Sequence, residues 1–130
     1  MHVCVGHTQR PIAAKRAFLV KAMRCWCLAR RETRLVQPHL ARLLAPCACE
    51  VLAPVLDALF SSFEACLGRP VVAGHHHPLA RDELDLLALL TRPASADSRF
   101  PQSPLKTVLR VALCSTRIMV ALTLQEIGQR

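Results

Sequence analysis

The strongest constraint on the fold is segment 54–90, where two helical patterns flank a sharp break. Seven apolar residues recur at three- and four-residue steps in residues 54–67, which predicts an amphipathic helix. Gly68 stands where a left-handed C-terminal cap is usual, and Pro70 prevents the helix from resuming. The leucines of residues 79–90 then predict a second helix. The segment should therefore fold as helix, break and helix.

The predicted fold is mainly α, with four to five helices around one core and at most one short strand near Val71–Ala73. That run is apolar and β-branched, as in a short buried strand or an extended chain. Residues 1–11 show no sustained period and are predicted to form a loose tail, which leaves residues 12–130 as one helical domain. Proline and serine are frequent in residues 91–104, which predicts a loop within that domain.

A short connecting helix and a long final helix are predicted on either side of the central segment. The connecting helix should occupy residues 34–46. Ser103 and Pro104 have the character of a helix cap and a first helical residue, so the final helix should run from there to about residue 126. Residues 118–124 would also make a good strand, and the sequence leaves the two structures open.

The composition excludes global disorder, because 52% of the 130 residues are hydrophobic. The net charge is +8, but it is unevenly spread. Residues 1–45 hold nine Lys or Arg and one acid, residues 46–90 hold two and six, and residues 91–130 hold six and two. A basic rim around an acidic centre can pair with itself within the fold. The charge therefore permits contact with nucleic acid or an anionic partner without implying it.

The helix predicted over residues 12–31 is amphipathic and basic. Its apolar side carries Phe18, Leu19, Ala22, Cys25, Trp26 and Ala29, and its basic side carries Lys15, Arg16, Lys21, Arg24, Arg30 and Arg31. Such a helix can grip nucleic acid, lie on a membrane or bind a partner protein. More often its charged side is a solvated surface over an ordinary core.

The seven cysteines favour a reducing compartment. They are odd in number, and lysines and arginines interrupt the only early apolar region, so no secretory leader is predicted. Reduced thiols in the cytoplasm are the simpler interpretation. Arg110 and Arg117 interrupt the most apolar late segment, so no transmembrane span is predicted either.

Three consecutive histidines, His75 to His77, are the clearest candidate for metal chemistry. In extended chain alternate side chains share a face, so His75 and His77 could converge while His76 points away. Imidazole binds zinc, copper and nickel, and Asp82 or Asp85 could add an oxygen ligand. The alternative is a polar loop at a helix start, because adjacent histidines are not the spacing of a closed tetrahedral site.

Cys47 and Cys49 are the cysteines best placed to complete such a site, because their segment is predicted to be irregular. Neither this pair nor Cys25 and Cys27 has the two-residue gap typical of zinc ribbons and thioredoxin-like sites. Free cysteine also packs as a small apolar group, which is the more common role. The sequence thus predicts no bound cofactor, with zinc or another transition metal as the alternative.

The span from Arg69 to Glu83 resembles a family of short bacterial proteins of unknown function. The resemblance lies in Arg69-Pro70, Val71-Val72, and the pair Asp82-Glu83 followed by Leu86-Leu87. This chain departs from the family at His75 to His77, where the family has cysteines, and at Ala80, where it has a Ser or Thr cap. The resemblance extends over residues 14–91 and implies no activity. The exchange of cysteines for histidines favours a ligand role for the loop.

Three functional hypotheses follow from these patterns. The first is a small non-catalytic cytoplasmic protein that acts by protein interaction, including self-association, or by regulation, because the sequence shows a good core and no catalytic constellation. The second is binding or sensing of a transition metal through the loop from His75 to His77. The third is nucleic-acid binding through the basic helix of residues 12–31, for which few aromatic residues are available.

Overall fold

The computed structural model describes the backbone of residues 3–128 and the side chains of residues 15–124. The prediction of a mainly α fold is confirmed. The α-helices are α1 (Val3–Arg31), α2 (Val36–Leu44), α3 (Ala53–Leu67), α4 (Arg81–Thr91), α5 (Ala96–Arg99) and α6 (Pro104–Gly128). Short 3-10 turns occupy Ala45–Cys47, Glu50–Leu52 and Pro93–Ser95.

The number of helices was underestimated, because the described residues contain six α-helices. The extra helix is α5, a four-residue turn inside residues 91–104, where a loop was predicted. Buried Ala96 anchors this turn to the core, and a helical pattern of this length is too short to detect from sequence. Residues 118–124, for which helix and strand were left open, are helical within α6.

The first helix is longer than predicted. It begins at Val3 rather than near residue 12, so helical backbone covers the described part of the predicted tail, and residues 1–2 of that tail lie outside the described residues. Propagating an existing helix costs far less than nucleating one, which allows a weakly patterned segment to continue it. Arg30 and Arg31 lie in its last turn, where positive charge complements the helix dipole.

The core forms where α1, α2, α3, α4 and α6 meet. Its largest side chain is Trp26 of α1, which is 1% exposed and packs edge-on against Phe60 of α3, with ring centroids 5.7 Å apart. The indole Nε1 donates a hydrogen bond of 2.8 Å to Asp57 Oδ1, so the polar end of Trp26 is satisfied. This contact fixes the position of α1 over α3.

Helix α3 packs along α6, which supplies Leu109, Leu113 and Val120 to the core. The predicted start of α6 is confirmed, because Ser103 Oγ accepts a hydrogen bond of 3.3 Å from the amide of Lys106. The α3–α6 pair thus forms one layer of the bundle, with one side of α6 turned away from α3.

Helix α3 ends as predicted at Gly68, whose φ of 70° is a left-handed conformation. The Gly68 amide donates to the carbonyls of Glu64 and Ala65, which closes the last turn. The chain then runs extended through Val71–Ala73 and reaches α4 by way of the three histidines. No strand forms there or elsewhere in residues 3–128.

Candidate functional site

The loop between α3 and α4 is held by carboxylates rather than by a β-ladder. Asp82, in the first turn of α4, is 2% exposed and receives two hydrogen bonds of 2.8 Å from the guanidinium of Arg69. Its Oδ2 also accepts the amide of Val72 at 2.8 Å. The amide of Val71 donates to Glu64 Oε2 at 2.9 Å. These carboxylates accept the backbone amides that a neighbouring strand would otherwise accept, so the segment Val71–Ala73 needs no partner strand.

Glu83 clamps both ends of the histidine loop. It is 1% exposed, and it accepts the amides of Gly74 at 3.1 Å and Ala80 at 2.8 Å. Arg24 of α1 binds the same carboxylate through Nε at 2.7 Å and Nη2 at 3.1 Å, and also donates to the carbonyl of His76. The carboxylate therefore joins α1, the loop and α4.

The clamp leaves little room for a side chain at Gly74. A Cβ at that position would lie 3.1 Å from Arg24 Nη2 and 3.2 Å from Glu83 Oε1, tighter than an ordinary van der Waals contact. In a capping box, the carboxylate at the third helical position accepts the amide of the residue before the helix, and Glu83 does this for Ala80. Ala80 has no side-chain oxygen, so the reciprocal half is absent.

The hydrogen bonds at both carboxylates favour the charged forms. The guanidinium of Arg69 lowers the pKa of Asp82, with the amide of Val72 assisting against the opposite effect of burial. At Glu83 burial raises the pKa, but the hydrogen bonds from Arg24, Ala80 and Gly74 outweigh it, so the pKa is lowered. Both groups are thus ionised and committed to holding the loop.

The predicted metal ligands are not brought together. His75, His76 and His77 are exposed, while the carboxylate of Asp82 is buried against Arg69 and that of Asp85 pairs with Arg99. Within the part of the chain that the structure describes, no group of three or more His, Cys, Asp or Glu side chains could hold a metal ion. The loop instead exposes its histidines to solvent and is held from below by the buried carboxylates of Asp82 and Glu83.

Cys47 and Cys49 differ in their exposure to solvent. Cys47 is exposed, whereas Cys49 is buried in the core and its thiol donates to the carbonyl of Cys47 at 3.2 Å. Burial raises the pKa of Cys49, which makes it a poorer thiolate ligand. Cys49 therefore packs as a small apolar group in the core, which was the alternative to a role as a metal ligand.

The basic side of α1 is partly consumed by the fold. Arg24 binds Glu83, and Arg30 pairs with Glu64 while its guanidinium stacks 4.5 Å over the Trp26 ring. Arg16, Lys21 and Arg31 are exposed. The basic surface predicted for nucleic acid is therefore smaller than the sequence pattern indicates, because Arg24 and Arg30 are paired with acids of the fold.

A row of exposed apolar side chains lies on α6, which carries five of the ten exposed large apolar side chains of the described residues. We call it the α6 face, and it consists of Leu105, Val108, Val111, Ser115, Ile118 and Leu122. Its five large apolar side chains are each between 48% and 61% exposed. Other exposed apolar side chains, such as Leu35 and Val51, belong to other elements of the chain. Val108, Val111, Ser115, Ile118 and Leu122 thus form a stripe opposite the core side of the same helix, and Leu105 lies at its N-terminal end.

A groove borders the α6 face. Phe100 and Pro101, from the segment before α6, lie on one side, and Val111, Cys114 and Ile118 lie on the other, with the charged residues Asp97, Lys106 and Arg110 also lining the groove. Cys114 is exposed at this border. A helix docked on the α6 face would therefore be contacted from two sides.

The sequence carries a partial signal for the α6 face. Residues 105–124 contain three cations and no acid, and a helix that is apolar on most of its circumference is normally covered on most of it. By length and composition alone, Pro104–Leu124 could also cross a membrane, although 28% of the most apolar window is buried against the core. The carboxylate clamp had a weaker signal, namely Glu83 three residues after the position that precedes α4.

No protein-family model, curated protein or solved structure matches the chain. The resemblance of residues 14–91 to a bacterial family therefore stays a prediction.

Proposed function

We propose that this is a small non-catalytic cytoplasmic protein that works by binding another protein chain, and that the α6 face is its docking surface. The observation that carries the proposal is a row of five large apolar side chains, each about half exposed, along one helix. Such a row amounts to an apolar patch of roughly a few hundred Å², the size of the largest patch on a typical monomer, and a largest patch of this size is often functional.

The arrangement of the buried ionic groups supports a non-catalytic role. Asp82 and Glu83, the most buried carboxylates, have their oxygens engaged by arginines and backbone amides. A general acid or base needs a group that can exchange its proton with a substrate. These two carboxylates instead fix the geometry of the loop between α3 and α4.

A protein partner fits the α6 face better than a membrane does. Membrane-surface helices carry Trp, Phe or Leu on the apolar side and Lys or Arg along the polar side. Residues 104–124 contain no aromatic side chain, and the other side of α6 packs against α3 instead of facing water. A membrane-spanning α6 would also have to withdraw Leu109, Leu113 and Val120 from the core, where each is at most 5% exposed.

The spacing of the α6 face is that of a helix-packing seam. Val108, Val111, Ser115, Ile118 and Leu122 follow one another at steps of three, four, three and four residues. This is the a/d pattern by which one helix packs into another. The seam supports a helical protein segment as the partner.

Two native thiols provide the test. Cys114 is exposed beside the α6 face and Cys47 is exposed away from it, so their labelling by a maleimide can be compared within one molecule. In intact cells we expect Cys114 to be protected relative to Cys47. The double substitution Val111→Gln/Ile118→Gln should remove the protection, whereas Leu35→Gln/Val51→Gln, at equally exposed apolar positions outside α6, should preserve it.

A ratio of Cys114 to Cys47 labelling in cells equal to that of the dilute purified chain would overturn the proposal. Protection that appears in purified protein only when phosphatidylcholine–phosphatidylglycerol vesicles are added would replace the protein partner by a membrane.

A further inference from the structure

We infer that the partner of the α6 face is a second copy of this chain, bound through an antiparallel α6–α6 contact with its two-fold axis at Ser115. This inference rests on the proposed function, since it names the chain that occupies the proposed docking surface.

The first argument is the symmetry of the seam. Ser115 lies seven residues from both Val108 and Leu122, and it lies four residues from Val111 and three from Ile118. An antiparallel two-fold axis through Ser115 therefore sets Val108 against the partner copy's Leu122, and sets Val111 within one residue of the partner copy's Ile118. An isologous contact requires this kind of self-complementary surface.

The second argument is the size of the side chain at the centre. Ser115 is the smallest residue of the seam, and it is exposed at the point where two crossing helices come closest. A small side chain there lets the helix axes approach to about 8 Å, the short end of the usual range. The four larger side chains then pack on both sides of the axis.

The third argument is charge. No ionisable carboxylate or cation stands in the seam, although the chain as a whole carries a net charge of +8. Arg110 and Arg117 are exposed on α6 outside the seam, and Asp97 binds Arg110 and Lys106 at 3.4 Å. Two copies of the seam can therefore meet without burying like charges, which is the main obstacle to self-association of a basic protein.

The available area is sufficient for a dimer of moderate affinity. The seam from Val108 to Leu122 is about 21 Å long at 1.5 Å per residue. With the wall at Phe100 and Pro101, each copy offers on the order of 600 Å², close to the roughly 800 Å² per partner of a standard interface. We therefore expect dissociation in the micromolar range.

Sedimentation velocity of the purified chain tests the inference. Between about 1 and about 200 µM the wild-type chain should pass from monomer to dimer. The Val111→Gln/Ile118→Gln variant buries four unpaired amides per dimer, so its dissociation constant should rise at least about 100-fold. The Leu35→Gln/Val51→Gln variant should dimerise like the wild type. A wild-type monomer at every concentration, or equal weakening in both variants, would overturn the inference.

Disulfide capture tests the antiparallel geometry. In a Cys114→Ser background, Ser115→Cys places two thiols at the axis, so mild oxidation should link the two copies through that position. Val108→Cys in the same background should give no link, because the two substituted positions would lie about 21 Å apart. A parallel contact would bring each position against its own copy, so a link through residue 108 would refute the antiparallel geometry.

The thiol labelling separates the two proposals. If the purified chain is monomeric while Cys114 stays protected in cells, the second copy is wrong and a different protein covers the α6 face. If Cys114 is also labelled freely in cells, both proposals fail.

Discussion

Replacing Glu83 by Gln should destabilise the protein far more than a change of one atom indicates. The carboxylate binds Arg24 through two nitrogens and accepts the amides of Gly74 and Ala80. A glutamine keeps the shape but offers one oxygen and one NH₂ group. Since all four neighbouring groups are donors, the NH₂ group must face donors wherever it points.

The magnitude follows from what is left unpaired. Removing one partner of a buried ion pair costs about 3–5 kcal/mol, and an exposed pair is worth about 0–1 kcal/mol. Glu83 is fully buried within this pair, but the Arg24 side chain is 26% exposed, so water can partly solvate the guanidinium. We expect the free energy of unfolding to fall by about 2–4 kcal/mol.

Urea unfolding at neutral pH measures this loss, with Glu32→Gln as the matched control. Glu32 pairs with Arg34, and both side chains are about half exposed, so the control should cost at most about 0.5 kcal/mol. The midpoint should shift without a change in slope, which identifies a loss of stability rather than a change in the surface exposed. A loss at Glu83→Gln no larger than that of the control would refute the structural role of the clamp.

Three further predictions concern pH, backbone strain and thiol reactivity. Folding lowers the pKa values of Asp82 and Glu83, so the two ionised carboxylates stabilise the fold at any pH above their unfolded pKa values of about 3.9 and 4.3. This stabilisation is lost as the pH falls through the folded pKa values. Urea unfolding from pH 7 to 3 should show the loss, and an Asp82→Asn/Glu83→Gln variant should depend less on pH. Gly68→Ala should cost about 1 kcal/mol in thermal unfolding from its φ of 70° alone, since no atom lies within 4 Å of the added methyl group; no loss would contradict this strain. Burial raises the pKa of Cys27 to about 11, so alkylation at pH 8 should be about 100-fold slower than that of a free cysteine, and a fast reaction would show that the side chain is not held in place.

The helices were predictable because their signals are local. The break at Gly68 and the cap at Ser103 depend on residues within one turn, and the structure confirms both. The conformation of the loop between α3 and α4 was not predictable, because it depends on contacts between residues that are distant in the sequence. Arg24 reaches Glu83 across 59 positions, and no periodicity reveals that pairing.

The two acids that begin α4 show how the same residues can support two interpretations. Asp82 was named as a possible metal ligand, but both acids lie in the first turn of α4, where negative charge favours the helix dipole. Their burial depends on Arg69 and Arg24, one of which is in α1. The histidines, in contrast, were singled out because three of them are adjacent in the chain, and they lie exposed in the loop.

The α6 face was visible only in part. The sequence shows a helix that is mostly apolar, but it does not show which side α3 covers. The structure assigns Leu109, Leu113 and Val120 to the core and leaves Val108, Val111 and the rest of the seam outside. The protein-interaction hypothesis could therefore be drawn from the sequence, whereas its surface could not.

The most direct test of the docking surface is the ratio of Cys114 to Cys47 labelling in intact cells, read peptide by peptide for the wild type and for Val111→Gln/Ile118→Gln. For the wild type in cells, we predict a Cys114 to Cys47 ratio well below the ratio measured on the dilute purified chain. In the variant, the ratio in cells should equal the ratio measured on the dilute purified chain. A wild-type ratio equal to that of the dilute purified chain would mean that the α6 face stands open in the cell, and the docking surface would be wrong.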